Sequence, residues 1–100
     1  LYSYQFDVDP RTQSFTNRRV FAYSDSGVPD GIQLDTMGNV YSGCGEGVHV
    51  WNAEGGLIGK FYVNSTAAQM IFTKSGLVIL DEEAIYLANI QAQGVDLITL

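Results

Sequence analysis

Gly31-Ile32-Gln33-Leu34-Asp35, Asn39-Val40-Tyr41-Ser42-Gly43, Val48-His49-Val50-Trp51-Asn52 and Leu57-Ile58-Gly59-Lys60-Phe61-Tyr62-Val63 follow one another with only tight, glycine-bearing turns between them. Thr36-Met37-Gly38-Asn39 separates the first two runs. Gly43-Cys44-Gly45-Glu46-Gly47 and Ala53-Glu54-Gly55-Gly56 separate the others. Runs of five to seven residues, rich in β-branched and aromatic side chains and closed by such turns, predict an antiparallel four-stranded meander. Glycine interrupts nearly every longer window, so no stretch keeps helical spacing.

On the N-terminal side, Tyr2 to Val8 alternates aromatic and polar residues and stops at Asp9-Pro10-Arg11-Thr12, where Pro10 has no N–H to give to a ladder. Arg19 to Tyr23 is a second short run, and Gly27, Pro29 and Gly31 mark Ser24 to Gly31 as a loop. On the C-terminal side the pattern recurs. Ile32 to Tyr41 aligns with Met70 to Ile79, bringing Gly38 onto Gly76 and Val40 onto Val78; with one deletion, Val48 to Asn52 falls on Ile85 to Asn89. The period is about 40 residues, the size of one propeller blade. Ala67 to Phe72 and Leu77 to Leu80 are almost continuously apolar, which predicts strands covered on both faces by neighbouring blades. The expected architecture is all-β: a partial blade over 1–24, a complete blade over 25–63 and a partial or degenerate blade over 64–100. Ala92 to Leu100 carries no clear signal beyond room for a further strand of that last blade. One complete blade cannot close a ring, so the chain reads as the C-terminal part of a longer propeller.

The composition narrows function. The chain of 100 residues is 46% hydrophobic and 16% charged, which is globular, and no apolar run is long enough to span a bilayer as a helix. With 5 Lys and Arg against 11 Asp and Glu, the net charge of −6 argues against nucleic acid. Arg18-Arg19 reads as the solvated end of a strand. Cys44 is the single cysteine, so no internal disulfide is possible, and a buried, inert thiol is expected. His49 lies on the strand face opposite Val48 and Val50, beside Trp51, and reads as a satisfied histidine between blades rather than a catalytic one. No Gly-x-Ser-x-Gly elbow occurs, and Gly43 to Gly47 lacks the following helix of a dinucleotide loop.

Residues 1–63 resemble the gluconolactonase family, also called senescence marker protein or regucalcin-like, and most closely its fungal secreted lactonohydrolases. The signals are Tyr4 to Asp9, a strand running into an acidic turn; Asn17 to Ala22, an outer strand; Val28-Pro29-Asp30-Gly31-Ile32, then Asp35 and Gly38-Asn39-Val40-Tyr41; and Val48-His49-Val50-Trp51 after a glycine-rich turn. The resemblance implies a six-bladed propeller with a divalent metal ion, usually calcium, at the top of its central channel, and hydrolysis of sugar lactones and related esters. It implies that Asp30, the Pro-Asp-Gly aspartate, is a metal ligand and general base. The family's other ligands, a Glu and an Asn, lie on earlier blades, upstream of this chain. The whole protein is then a calcium-dependent lactonase acting on a small lactone, and the isolated chain, lacking a complete site, is expected to be inactive. The alternative is a non-catalytic propeller that binds a ligand or a protein partner on its top face.

Other polar residues have plainer expectations. Asp35 and Asn39 are turn formers. Glu46, in a turn on the same end as the loop carrying Asp30, is placed at the rim of the substrate mouth. Asn64-Ser65-Thr66 is a glycosylation acceptor, in keeping with secretion. Asp81-Glu82-Glu83 is a solvated acidic turn. The partners expected are the lactone and the missing blades, with neither nucleic acid nor membrane.

Overall fold

The computed structural model describes residues 1–95, which form nine strands in three antiparallel sheets, with no helix among them. Strands β1 (Tyr2–Asp9) and β2 (Ser14–Tyr23) make a hairpin. Strands β3 (Ile32–Leu34), β4 (Val40–Cys44), β5 (Gly47–Trp51) and β6 (Leu57–Tyr62) make a four-stranded meander in sequence order. Strands β7 (Ala67–Thr73), β8 (Gly76–Asp81) and β9 (Ile85–Ala88) make the third sheet.

Register gives the middle sheet two distinct faces. Ser42 lies opposite His49, and His49 opposite Lys60, so these side chains form one row. Tyr41 lies opposite Val50, and Val48 opposite Phe61, on the other face. The Tyr41–Val48–Val50 face packs on Ala67, Met70, Leu77 and Ile79 of the third sheet, and this is the main core. The reverse face carries Cys44 and Trp51, which pack on Ala22 and Phe21 of the hairpin. The sheets approach closely at Gly43, where a Cβ would stand 2.0 Å from the Ala67 carbonyl oxygen. Beside it the Gly31 N–H donates to the Ala68 carbonyl at 3.0 Å.

Several details depart from the expectations. The second strand begins at Ser14, not Arg19. Asn17-Arg18-Arg19 breaks the apolar pattern, but Phe15 and Thr16 favour strands, and Ser14, Phe15 and Thr16 have ladder partners in Asp9, Val8 and Asp7. Arg18 and Arg19 therefore lie within β2 rather than at its end, Arg18 over the Tyr4 ring at 4.0 Å and Arg19 paired with Asp7 at 3.0 Å. Strands β7 and β8 are covered on one side by the middle sheet and open on the other, as expected of a chain that holds one complete blade. Met70 and Leu77 are fully buried against the middle sheet, while Ile71 on the reverse face is 49% exposed. The tail does not extend the third sheet over its described part. Thr36 N–H donates to the Gln93 carbonyl, Val95 N–H to the Leu34 carbonyl, and Gly94 bridges Asp35, so this segment runs along the free edge of β3. The rest of that tail, residues 96–100, lies outside the described residues.

Candidate functional site

The two-stranded hairpin packs on Cys44 and Trp51 of the four-stranded sheet beside it and leaves the innermost strand uncovered. Ile32 and Leu34 on β3 are left 60% and 47% exposed. Beside that strand a cleft of about 480 Å³ opens, with Tyr2 and Tyr4 on the hairpin side and Ile32, Leu34, Val40 and Trp51 on the sheet side. Asp30 stands at its edge, in the loop that leads into β3.

That loop is held by its backbone. Asp30 N–H donates to the Gly43 carbonyl at 2.8 Å, Gly43 N–H returns to the Gly31 carbonyl at 3.2 Å, and Gly45 N–H donates to the Ser26 carbonyl at 2.9 Å. The Ser42 hydroxyl reaches the Asp30 carbonyl at 3.4 Å. These bonds commit the main chain of Asp30 and leave its side chain exposed. The residue thus sits exposed at the entrance to the innermost strand, beside the cleft.

The turn Gly45–Glu46, between β4 and β5, meets the loop at the same end of the sheet, as the Gly45–Ser26 bond requires. Glu46 is committed to protein partners. Its Oε1 lies 2.8 Å from the Lys60 ammonium and 3.1 Å from His49 Nε2. Lys60 also reaches both Asp25 oxygens, at 3.0 and 3.3 Å. Pairing with Lys60 is the first cause holding the Asp25 and Glu46 carboxyls below the usual range, and the two carboxylates, Glu46 foremost, raise the Lys60 ammonium. Ligand atoms of Asp25, Glu46 and His49 lie within 4.8 Å of one another, close enough to hold a metal ion. The Lys60 ammonium already supplies the positive charge there. His49 is buried as expected but only half satisfied, since its Nδ1 has no hydrogen-bond partner.

At the opposite end, Asp35 is a turn former with a further role that sequence reasoning missed. Its carboxylate accepts from the Met37 and Asn39 N–H groups, the Asn39 amide and the Tyr41 hydroxyl. Burial works to raise this carboxyl, but the hydrogen bonds outweigh it and hold it below the ordinary value. Burial, and then the bond to Asp35, push the Tyr41 phenol up to about 12. The signal that was available is a buried-pattern Tyr following an Asx turn. Cys44 is fully buried and hydrogen-bonded to Ser24 Oγ at 3.3 Å, and burial raises its thiol. Asn64 is exposed, with φ of 61° in the connection between β6 and β7, and Thr66 of the same triplet reaches the Gly45 carbonyl at 3.5 Å.

A meander of four strands flanked on both faces by partial sheets of the same kind is a segment of a β-propeller. The comparison with solved structures agrees. A candidate gluconolactonase solved by X-ray crystallography superposes with a TM-score of 0.83 at 20% identity, covering 93% of this chain and 33% of that one. A gluconolactonase from Xanthomonas campestris, described as important in glucose secondary metabolic pathways, superposes at 0.73 and 24%, covering 94% of this chain and 30% of that one. The family model of the SMP-30/Gluconolactonase/LRE-like region matches residues 2–81, and the chain belongs to that family. Lactonohydrolase oryH of Aspergillus oryzae is 33% identical over 69 residues, which is 69% of this chain and 15% of the relative. The chain therefore spans a third or less of the proteins it matches.

Proposed function

We propose that the whole propeller hydrolyses a sugar lactone or a related lactone, with Asp30 as one ligand of a divalent metal ion and as the base that deprotonates water. The observation that carries this reading is the position of Asp30: backbone-locked by Gly43, side chain exposed, at the entrance to the innermost strand and beside the open cleft. Calcium suits a carboxylate among six to eight oxygen ligands, so Asp30 would be one of several donors and the rest would come from other blades. When bound, such an ion would stabilise the negative charge that forms on the lactone carbonyl oxygen. The work of this chain is to hold the Asp30 carboxylate where an attacking water can pass it a proton. That proton is then available to the ring oxygen as the C–O bond breaks.

The isolated chain, with one ligand of the set, is expected to be inactive. The partner it needs is the rest of the propeller, and the apolar cleft beside β3 suits two further strands that would complete the hairpin's sheet. Glu46 belongs to the rim of the mouth, with its carboxylate turned to Lys60 and His49. The exposed turn at Asn64 suits a glycan on a secreted protein, checked by a glycosidase-sensitive mass shift that Asn64→Gln removes.

The test of the main reading is acid release from a panel of lactones by the whole protein, with and without chelator, alongside Asp30→Ala. Loss of both activity and metal binding in the variant supports the enzyme. A protein that binds no metal and is indifferent to Asp30→Ala would make Asp30 a turn residue and the propeller a binding module.

A further inference from the structure

The outermost strand carries a lysine that does not point into solvent. Lys60 shares a row with His49 and Ser42 on the face turned toward the hairpin, and its side chain is only 16% exposed. Its stem lies over the sheet, and its ammonium reaches two carboxylates from different segments. Asp25 stands at the root of the loop that ends in Asp30, and Glu46 in the turn against which that loop leans. Behind Glu46 the fully buried His49 ring fixes the carboxylate from the other side. Such partly solvated pairs add little to stability, so the consequence of this arrangement is geometric.

The loop needs this. Between Asp25 and Pro29 it lies outside the named strands, and Gly45 to Ser26 is its one backbone bond there. Gly27 takes φ of 69° and packs on Gly45, where a Cβ would stand 2.7 Å from the Gly45 backbone. Backbone bonds of Ser26, Asp30 and Gly31 to Gly45 and Gly43 hold the loop on β4 and its turn, and the Ser24 and Ser42 hydroxyls add to them. The backbone bonds are ones that any sequence could make. The Lys60–Asp25 pair at the root is the charged tie among these contacts, and it depends on a side chain.

We propose that Lys60 is a positioning residue for Asp30: by tying Asp25 to Glu46 it sets how far the Asp30 loop reaches over the mouth. The inference rests on the reading of Asp30 as a metal ligand.

The sign of one substitution separates positioning from simple charge. Lys60→Met removes a positive charge near the mouth, and through-space electrostatics alone would then tighten calcium binding. Loss of positioning weakens it instead. The experiment is calorimetric titration of the whole protein with calcium, comparing wild type, Lys60→Met, Lys60→Arg and Asp30→Ala. Positioning predicts calcium binding about tenfold weaker in Lys60→Met, the lower end of what partners behind a metal ligand contribute, with Lys60→Arg within about twofold of wild type. Should Lys60→Met not fold, Asp25→Asn takes its place. Asp25 is exposed, and its loss predicts binding at least about threefold weaker in about 0.5 M KCl, where distant charge effects are screened.

Calcium binding by Lys60→Met as tight as wild type or tighter, with Asp30→Ala inactive toward the ion, would overturn the positioning role and leave Asp30 as a ligand. Unchanged binding by Asp25→Asn would do the same if that variant is the one measured. Unchanged calcium binding in Asp30→Ala would remove the proposed function, and this inference with it.

Discussion

Gly43→Ala tests the contact on which both the fold and the Asp30 loop depend. The added Cβ would stand 2.0 Å from the Ala67 carbonyl oxygen and 2.8 Å from its carbon, both backbone atoms that cannot rotate away. An ordinary carbon–oxygen contact is about 3.3 Å, so β4 and β7 would have to part by about 1.3 Å. Overpacking of that kind costs about 2–3 kcal/mol, and the gain from replacing glycine within a strand returns roughly 0.5–1 kcal/mol, for a net loss near 2 kcal/mol. Gly59→Ala is the control, since no heavy atom lies within 4 Å of its Cβ position; it should be neutral or stabilising by roughly 0.5 kcal/mol. Gly31→Ala should fall between, because its added Cβ meets the Gln69 side chain, which can move. The assay is urea denaturation of the whole protein, reading midpoints at constant slope. Because the Gly43 carbonyl holds Asp30 N–H, a shift of about 1 Å should also cost lactone hydrolysis on the order of a hundredfold. A Gly43→Ala protein within about 0.5 kcal/mol of wild type, or one less perturbed than Gly59→Ala, would refute the reasoning.

Asp35→Ala leaves the buried Tyr41 hydroxyl without its acceptor and should cost about 2–3 kcal/mol in thermal or urea unfolding, against about 1 kcal/mol for Tyr41→Phe. Because the folded Asp35 carboxyl lies below its unfolded value of about 3.9, its stabilisation is complete above that pH and is lost as pH falls through the folded value; a stability profile from about pH 2 to 6 should therefore be shallower for Asp35→Ala. Cys44 should resist alkylation in the native protein at about pH 8 and react only on unfolding, and rapid native labelling followed by mass spectrometry would contradict its burial. Met70→Ala, in the core between the middle and third sheets, should destabilise by about 2–5 kcal/mol in the same unfolding measurements.

How much of this was legible in the chain differs from residue to residue. The alternation of Val48 and Val50 with His49 and Trp51 assigns them to opposite faces, because side chains on a strand have a period of two, and the structure keeps that division. The glycine-bearing turns divided the meander into its four strands for the same local reason, and Cys44 and the turn at Asp35 followed from pattern and turn chemistry. The 40-residue recurrence pointed to stacked sheets of one kind. Periodicity says which side a residue faces, but not what stands opposite. Nothing near Lys60 in sequence announces that it meets Asp25, 35 positions away, or that Glu46 turns to it. Phe15 and Thr16 favour strands, but Asn17-Arg18-Arg19 interrupts the apolar pattern after them, and pairing with β1 joins both sides into β2. Ala67 to Phe72 read as almost continuously apolar, and one face is covered here, because coverage depends on which sheets are present rather than on the strand itself. The tail was silent because its partner is the free edge of β3, which recognises backbone N–H and C=O groups that every sequence carries alike. The strands and their faces were therefore readable from the chain alone, because their physics is local, whereas Asp30 became a candidate only through the family resemblance around Pro29-Asp30-Gly31. Tertiary structure alone decided the Lys60 cluster, the close approach at Gly43 and the place of the tail, because each joins atoms brought together only when the sheets stack.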